Sequence, residues 1–94
     1  MRVNLALTGA NGFLGSHLNK RLKKYYNLYP ISLKTYAEIK LFLEEIKKNK
    51  FKIIINCAAS LSPKKEIDIF INAQLPLKIE NSIHNKSIKL SLIL

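Results

Sequence analysis

The sequence predicts an α/β fold, a doubly wound parallel sheet of about four strands. Three observations predict it. Strand-like apolar segments alternate with helical ones along the chain, the first runs straight into a glycine-rich turn, and the third is almost wholly apolar, like a covered strand of a parallel sheet. The order strand, helix, strand, helix, strand, helix, strand implies right-handed crossovers within the one domain that 94 residues allow.

Glycines separate the first strand from the first helix. Residues 2–8, RVNLALT, alternate as a strand with a buried face does, and the strand ends at Gly9. From Gly12 onward, apolar residues recur four apart, which predicts a helix with one buried face. That face carries Leu14, Leu18, Leu22 and either Tyr25 or Tyr26.

A short second strand and a capped second helix follow. The segment LYPISL contains Pro30, whose missing N–H is tolerated only at a sheet edge or at the start of a strand. Thr35 and Glu38 have the spacing of a capping box, in which a hydroxyl and a carboxylate each satisfy a free backbone N–H. The apolar face of this second helix carries Ile39, Phe42, Leu43 and Ile46.

The rest of the chain predicts a central strand, a divided helix and a final strand. FKIIINCAA at 51–59 is apolar enough to be covered on both faces. Ser62 and Pro63 begin a helical segment that Pro76 kinks or divides. Its inward positions are Ile67, Phe70, Ile71 and Leu75. SIKLSLIL at 87–94 predicts the fourth strand.

The net charge of +10 suggests an acidic partner, yet its distribution along the sequence argues against a nucleic-acid-binding domain. Fourteen of the 16 basic residues are lysine, whereas phosphate and base recognition favours arginine, and no basic run exceeds two residues. Lys, Asn and Ile supply 36 of the 94 residues, a bias that fits an A/T-rich coding preference spread over solvated surface. No apolar stretch approaches the roughly 18–20 residues of a membrane span.

Cysteine and histidine predict neither a nucleophile nor a metal site. Cys57 has no partner for an intramolecular disulfide, which suits a reducing cytoplasm. Its place at the end of an apolar run suits a small buried side chain better than a nucleophile. His17 and His84 lie in helical segments without carboxylates at the spacing of a catalytic triad or a metal site.

The three glycines of TGANGFLG have a specific use in a strand–turn–helix unit. Gly9 allows the sharp turn, Gly12 lets the backbone approach a pyrophosphate, and Gly15 lets the helix pack closely on the strand. The helix that starts near Gly12 directs free N–H groups and the positive end of its dipole at the same place. A structural turn without a ligand is the alternative.

TGANGFLG resembles the TGxxGxxG fingerprint of the short-chain dehydrogenase/reductase superfamily. GFLGSHL resembles the extended branch of that superfamily, which contains nucleotide-sugar epimerases, dehydratases and reductases. IIINCAAS is similar to the strand that follows the cofactor's adenine and ribose, and INAQLPLKIENSI to the helix after it, especially in relatives of dTDP-4-dehydrorhamnose reductase. The resemblance extends from Met1 to about Ser87 and implies a Rossmann-like fold that binds NAD or NADP.

The resemblance also implies the residues of the cofactor site. Those that would surround the pyrophosphate are Thr8, Gly9, Asn11, Gly12, Phe13, Leu14 and Gly15. Those that would line the ribose are Cys57, Ala58 and Ala59. Close packing at a strand end is a compatible explanation for the two alanines. Asn72 would support the site structurally, or else it faces solvent.

One position favours NADP over NAD. The fingerprint expects an acidic residue about 20 positions after the glycines, where it binds the ribose hydroxyls of NAD. This sequence has Lys34 there, and its next carboxylate, Glu38, belongs to the capping box. A cation at this point favours a 2′-phosphate, so Lys34 is the predicted contact to NADP, with an ordinary exposed lysine as the alternative.

The resemblance implies a catalytic Tyr with a Lys four residues further on, and a Ser or Thr that steadies the substrate oxygen. Tyr36 and Lys40 have this spacing but precede the third strand, whereas the family's pair follows a later one, so we assign no catalytic residue. We therefore expect residues 1–94 to be an incomplete NAD(P)-binding domain without the sugar-binding and catalytic part. Because the chain starts at Met1, we expect that loss to be C-terminal.

These observations predict the cofactor-binding portion of a nucleotide-sugar reductase, epimerase or dehydratase, inactive on its own. The alternatives are a non-catalytic dinucleotide-binding or interaction module and a basic nucleic-acid-binding domain. The fourth strand would expose an apolar sheet edge, so we expect residues 88–94 to pair with a second copy of the chain or with a complementing C-terminal half.

Overall fold

Four parallel strands form one sheet in a computed structural model that describes residues 2–59, 64–84 and 86–92. The strands are β1 (Asn4–Thr8), β2 (Asn27–Ile31), β3 (Ile53–Asn56) and β4 (Lys89–Leu92), in the spatial order β2-β1-β3-β4. The helices are α1 (Phe13–Leu22), α2 (Tyr36–Lys47), α3 (Glu66–Ala73) and α4 (Leu75–Ile83). The predicted α/β class and four-stranded parallel sheet are confirmed.

Two of the sequence predictions lie outside the described residues. These are the helix start at Ser62 and Pro63 and the last two residues of the fourth strand, 93–94. The described part of the third helical segment begins as α3 at Glu66.

The sheet separates two helical layers, and the main core lies on the side of α2, α3 and α4. Ala6 and Ile54 are register partners in β1 and β3, and both are fully buried against this layer. The other buried members of the core are Ile39, Phe42, Ile46, Phe51, Leu75 and Ile79. Burial of each large apolar side chain stabilises the fold by about 1.5–3 kcal/mol, so this layer contributes most of the hydrophobic stabilisation.

The opposite face of the sheet is covered over β1 and β2, where α1 packs. Leu5 and Leu7 of β1 are therefore fully buried. Their register partners in β3, Ile53 and Ile55, are only half-buried. The prediction that the third strand is covered on both faces is wrong for this side of β3.

Helix α1 packs on the turn after β1 through a glycine rather than through its leucines. Gly15 is its buried residue, whereas Leu14 is exposed and Leu18 is half-buried. The predicted apolar face is thus only partly buried, because the close contact of Gly15 with Gly9 and Ala10 sets the position of α1. Tyr25, the predicted extension of that face, is exposed.

Three local predictions are confirmed. The side chains of Thr35 and Glu38 form the capping box of α2. Pro30 lies in β2, an edge strand of the described sheet, where its missing N–H breaks no ladder. The helix around Pro76 is divided into α3 and α4, with the proline in the first turn of α4, where its fixed φ is compatible with a helix start.

Candidate functional site

An open cleft of about 450 Å³ lies at the carboxyl ends of β1, β2 and β3. The chain leaves β1 toward β2 on one side and later returns to β3 on the other, and α/β sheets bind ligands at such a switch point. The volume lies within the range of roughly 300–1,000 Å³ typical of ligand sites. The cleft is lined by residues 9–12, 30–34 and 57–59 and by Asp68 and Ile71.

The floor of the cleft is the turn between β1 and α1, which packs backbone against backbone. Gly9 has a φ of +68°, and a Cβ there would lie 2.7 Å from the carbonyl carbon of Cys57. A Cβ on Gly15 would lie 1.9 Å from the carbonyl oxygen of Gly9. Neither position accepts a side chain without moving backbone, so both glycines are structural requirements of this turn.

Gly12 has a different environment. It is the N-cap of α1 and lines the cleft, and among the described residues a Cβ there would meet only the Gly9 carbonyl oxygen, at 3.3 Å. The space above Gly12 is therefore open to a ligand, which can approach the backbone directly.

The first turn of α1 has no side-chain cap among the described residues. Its N-cap makes no side-chain hydrogen bond, and the turn contains no acidic residue. The first N–H groups of a helix have no partner within the helix, and the positive end of the helix dipole lies with them. This end of α1 is suited to an anionic group placed in the cleft.

A buried polar pair fixes the segment after β3 against the end of β1. Thr8 is fully buried, and its hydroxyl donates to the Oδ1 atom of Asn56. The Ala58 N–H donates to the Thr8 hydroxyl oxygen at 3.1 Å, and the Cys57 N–H donates to the Thr8 carbonyl at 3.3 Å. Thr8 therefore acts behind the cleft, where it positions Cys57 and Ala58 beside the glycine turn.

The backbone of the loop after β2 is hydrogen-bonded to the Glu38 carboxylate of α2. Glu38 accepts backbone N–H groups from Lys34 at 3.0 Å and Thr35 at 3.1 Å. A hydrogen bond with the Ser32 side chain is the main cause that lowers the pKa of Glu38, and these backbone N–H groups lower it further. The carboxylate nearest the end of β2 is thus hydrogen-bonded within its own loop, to Ser32, Lys34 and Thr35, and Lys34 lies along the cleft.

Cys57 lines the cleft as a half-buried thiol. Burial raises the pKa of this thiol. A raised pKa keeps the thiol protonated near neutral pH and disfavours the thiolate that a nucleophile needs. The raised pKa agrees with the prediction that Cys57 is not a nucleophile, but the side chain is half-buried rather than fully buried as predicted.

The structure separates the predicted site residues into those on the cleft and those behind or beside it. The predicted residues that line the cleft are Gly9, Asn11, Gly12, Lys34, Cys57, Ala58 and Ala59. Thr8 and Gly15 are buried behind it. Phe13 and Leu14 are not among its lining residues, and Phe13 is 87% exposed with its ring against His17. Asn72 is exposed on α3.

Several lining residues were missed from the sequence, namely Ala10, Pro30, Ile31, Ser32, Leu33, Asp68 and Ile71. For Asp68 a signal was present, because an acidic residue in the first turn of a helix caps it. Its carboxylate accepts the N–H groups of Lys64 and Lys65 at 3.3 Å. For Ile71 the inward position was predicted, but not its place on the cleft.

Tyr36, which has the Tyr-Lys spacing with Lys40, does not line the cleft. It begins α2, and its ring contacts Phe70 edge to face at a centroid distance of 5.6 Å. This geometry assigns Tyr36 to packing between α2 and α3.

No protein-family model matches the sequence, and no curated protein matches it. Solved structures do. A dTDP-4-dehydrorhamnose reductase from Bacillus anthracis in complex with NADP is 28% identical, with a TM-score of 0.68 over 96% of this chain and 35% of that one. The chain resembles dTDP-4-dehydrorhamnose reductases. The resemblance predicted from TGANGFLG is confirmed.

Two more solved structures support the same fold. A dTDP-4-dehydrorhamnose reductase from Clostridium acetobutylicum is 24% identical, with a TM-score of 0.67 over 93% of this chain and 34% of that one. A GDP-mannoheptose C4 reductase from Campylobacter jejuni with NADP bound is 19% identical, with a TM-score of 0.64 over 97% of this chain and 32% of that one. The chain spans about a third of the length of each of the three matched structures.

Two other features bear on partners. None of the helices in the described ranges is long and apolar enough to cross a membrane. Within those same ranges, no three His, Cys, Asp or Glu side chains are grouped as metal ligands are.

Proposed function

We propose that this chain binds a nicotinamide dinucleotide in the cleft at the carboxyl ends of β1, β2 and β3. The observation that carries the proposal is the first turn of α1, which has no side-chain cap and no acidic residue and opens on the cleft at Gly12. The likeness to a reductase that holds NADP supports it. When bound, a nicotinamide dinucleotide supplies hydride transfer.

The residues present fit such a group. The N–H groups of the first turn of α1 would bind the pyrophosphate, and Gly12 lets it come close because no side chain fills that space. Cys57, Ala58 and Ala59 would line a ribose. Gly9 and Gly15 hold the turn in shape, and Thr8 positions the segment after β3.

The loop after β2 supports NADP rather than NAD. The ribose hydroxyls of NAD would need a carboxylate acceptor that is free to turn into the cleft. Glu38 is not free to do so, because its carboxylate is hydrogen-bonded to the backbone N–H groups of Lys34 and Thr35. Lys34 lines the cleft and makes no ion pair among the described residues. Its cation would bind a 2′-phosphate.

We propose that the chain is the cofactor-binding portion of a nucleotide-sugar reductase. On its own this portion would not be catalytic. Epimerases and dehydratases of the same superfamily are the other reaction classes that this portion could serve. The lone half-buried Cys57 suits the reducing cytoplasm that we propose as its location. A non-catalytic dinucleotide-binding module is the alternative, and it predicts the same cofactor binding without an active complex.

Calorimetric titration with NADPH and then NADH tests the cofactor. We expect saturable binding of NADPH, weaker binding of NADH, and loss of both in Gly12→Val, whose side chain would fill the open space above the turn. Ala37→Val is the matched control, since Ala37 is exposed in the first turn of α2 and is not among the residues that line the cleft. A folded wild-type chain that binds neither cofactor would refute the proposal.

The proposed protein partner binds along β4. This strand is an edge of the described sheet, and the other edge, β2, contains Pro30, which has no N–H to offer a neighbour. A second copy of the chain or a complementing C-terminal half would pair with β4. Sizing across a range of protein concentrations should show association, and a monomer at every concentration would exclude the homodimer.

A further inference from the structure

The fold gathers basic residues that are scattered along the sequence. We define the amino edge as Arg2 and residues 20–24, 47–52 and 86–89, which lie at the amino ends of the strands and the carboxyl ends of the preceding helices. These segments contain eleven of the 16 basic residues and none of the six acidic residues. The cleft side has the acidic residues Glu38 and Asp68 beside Lys34, so its charge is mixed.

Hydrogen bonds show that these segments are neighbours in space. Arg2 donates to the Lys23 carbonyl at 3.2 Å, which joins the start of β1 to the end of α1. The Lys89 N–H donates to the Lys52 carbonyl at 3.0 Å, which joins the approaches to β3 and β4. Lys86 Nζ donates to the Lys47 carbonyl at 3.0 Å, which connects them to α2.

The charge of the amino edge is only slightly compensated. Glu45 pairs with Lys50, and this is the ion pair found among the described residues. Lys24, Lys52 and Lys89 are exposed and make no side-chain hydrogen bond within those residues. Cations at helix carboxyl ends are favoured by the helix dipole, which explains Lys20, Arg21 and Lys47 but not the lysines of the turns and strand starts.

Aromatic and amide groups accompany these cations. Tyr25 is 72% exposed beside Lys24, a large aromatic surface left in solvent. A second cleft of about 480 Å³ lies between the end of α1 and β2, lined in part by Lys23, Tyr26 and Asn27. Single-stranded nucleic acids are held by cations along the backbone and by aromatic rings on which bases stack. A membrane-surface helix would instead present Trp, Phe or Leu opposite its cations.

We propose that the amino edge binds single-stranded nucleic acid, on the opposite side of the sheet from the cofactor cleft. The two sites are separated by the length of the strands, about 15 Å at roughly 3.3 Å per residue. Occupancy of one site therefore does not obstruct the other. This proposal does not depend on cofactor binding.

The test measures binding of the whole chain to a fluorescent oligouridine of about 12 nucleotides, within the site sizes of roughly 4–16 nucleotides that such surfaces cover. An oligothymidine of equal length distinguishes RNA from DNA. Each phosphate contact to a single strand adds about 0.7 to the slope of log affinity against log salt. The triple variant Lys24→Gln, Lys52→Gln, Lys89→Gln should therefore lower that slope by about 2 and weaken binding at least about tenfold at low salt.

The matched control removes the same charge elsewhere, in the triple variant Lys40→Gln, Lys64→Gln, Lys78→Gln. We expect it to bind as the wild type does, and Tyr25→Ala to bind about tenfold more weakly through loss of stacking. Equal losses of oligonucleotide affinity in the two triple variants would overturn the proposal. Displacement of the oligonucleotide by NADPH would also overturn it, as would the absence of oligonucleotide binding at roughly 50 mM salt. Binding to anionic phospholipid vesicles without binding to either oligonucleotide would overturn it in favour of a membrane surface.

Discussion

Helices α1 and α2 begin at the same edge of the sheet, yet their first turns are satisfied in opposite ways. α2 begins at Thr35, whose hydroxyl accepts the Glu38 N–H while the Glu38 carboxylate accepts the Thr35 N–H. α1 begins at Gly12, which has no side chain to offer, and no acidic residue follows in the turn. One helix uses its own residues for the donors that every helix start leaves free, and the other has no side-chain cap for them among the described residues.

Helix stability and the proposed ligand binding place opposite demands on the first turn of α1. A cap such as that of Thr35 stabilises a helix by about 1 kcal/mol, and α1 does without it. Its first turn is instead held by the close packing of Gly15 on Gly9. The proposed function explains the absence of a cap at Gly12, because a capping side chain would occupy the place of an anionic ligand.

The largest effect is expected from Gly15→Ala. In an ordinary helix this change stabilises by about 1 kcal/mol, but here the new Cβ would lie 1.9 Å from the Gly9 carbonyl oxygen. We expect a loss of about 3 kcal/mol in the free energy of unfolding, measured by urea denaturation, because backbone must move. Ser16→Ala, one residue later, is the control and should change stability little. An unchanged or higher stability in Gly15→Ala would show that α1 does not pack on the turn as described.

Gly12→Asp would make the start of α1 resemble that of α2. The carboxylate should cap the helix and stabilise it by roughly 0.3–1 kcal/mol, since Gly12 already has extended backbone dihedrals that suit an N-cap. The same negative charge should weaken NADPH binding at least about tenfold, because it repels the pyrophosphate. Denaturation and calorimetry on one sample measure the two changes. If stability and NADPH affinity both rose or both fell, the proposed conflict between helix capping and cofactor binding would be contradicted.

Thr35→Ala removes the cap from α2. We expect the free energy of unfolding to fall by about 1 kcal/mol, since the Glu38 N–H loses its acceptor. Binding of NADPH should change much less than in Gly12→Asp, because Thr35 is not among the residues that line the cleft. A larger loss of affinity than of stability would show that the loop after β2 depends on the capping box for its position.

Lys34→Ala tests the proposed preference for NADP. An exposed ion pair contributes roughly 1 kcal/mol or less, so the affinity for NADPH should fall by about fivefold while the affinity for NADH stays the same. Titration with both cofactors gives the ratio directly. Lys40→Ala is the control, an exposed lysine of α2 away from the cleft. An equal fall for both cofactors would argue for a general electrostatic effect.

The smallest effect concerns pH. Because its folded-state pKa is lowered, Glu38 contributes stability that is fully present above about 4.3, the ordinary pKa of an unfolded glutamate. That contribution is lost as the pH falls from there through the lowered folded-state value. Glu38→Gln keeps a capping side chain without the charge, so its stability should fall less over this acid range in urea titrations. If the free energy of unfolding fell equally with pH in the wild type and in Glu38→Gln, the contribution assigned to the Glu38 carboxylate would be refuted.

The parts of the fold that the sequence predicted correctly depend on neighbours a few residues apart. The capping box joins residues three apart, Pro76 disrupts the helical turn before it, and Gly9 occupies a turn that its two flanking residues define. The alternation of apolar and polar residues likewise predicted the strands. Such signals are local, so they can be found without knowledge of the rest of the fold.

The lining residues of the cleft that the sequence predicted lie in the glycine motif, at the end of β3 and, with Lys34, about 20 positions after the glycines. Ser32 and Asp68 were missed because they reach the cleft from different strands and helices, and no spacing in the sequence relates them. Leu14 was expected to be buried, yet it is exposed because the position of α1 is set by Gly15. Ile53 and Ile55 are half-buried because α1 covers β1 and β2 rather than β3.

The sequence alone determined the class of fold, the capped start of α2 and the glycine turn before α1. Tertiary structure decided which loops meet that place and where the charge lies. A basic residue every few positions appears scattered in the sequence, but parallel strands with right-handed crossovers bring every strand start to one edge. The same topology brings the strand ends to the other edge, which is why cations collect opposite the cleft.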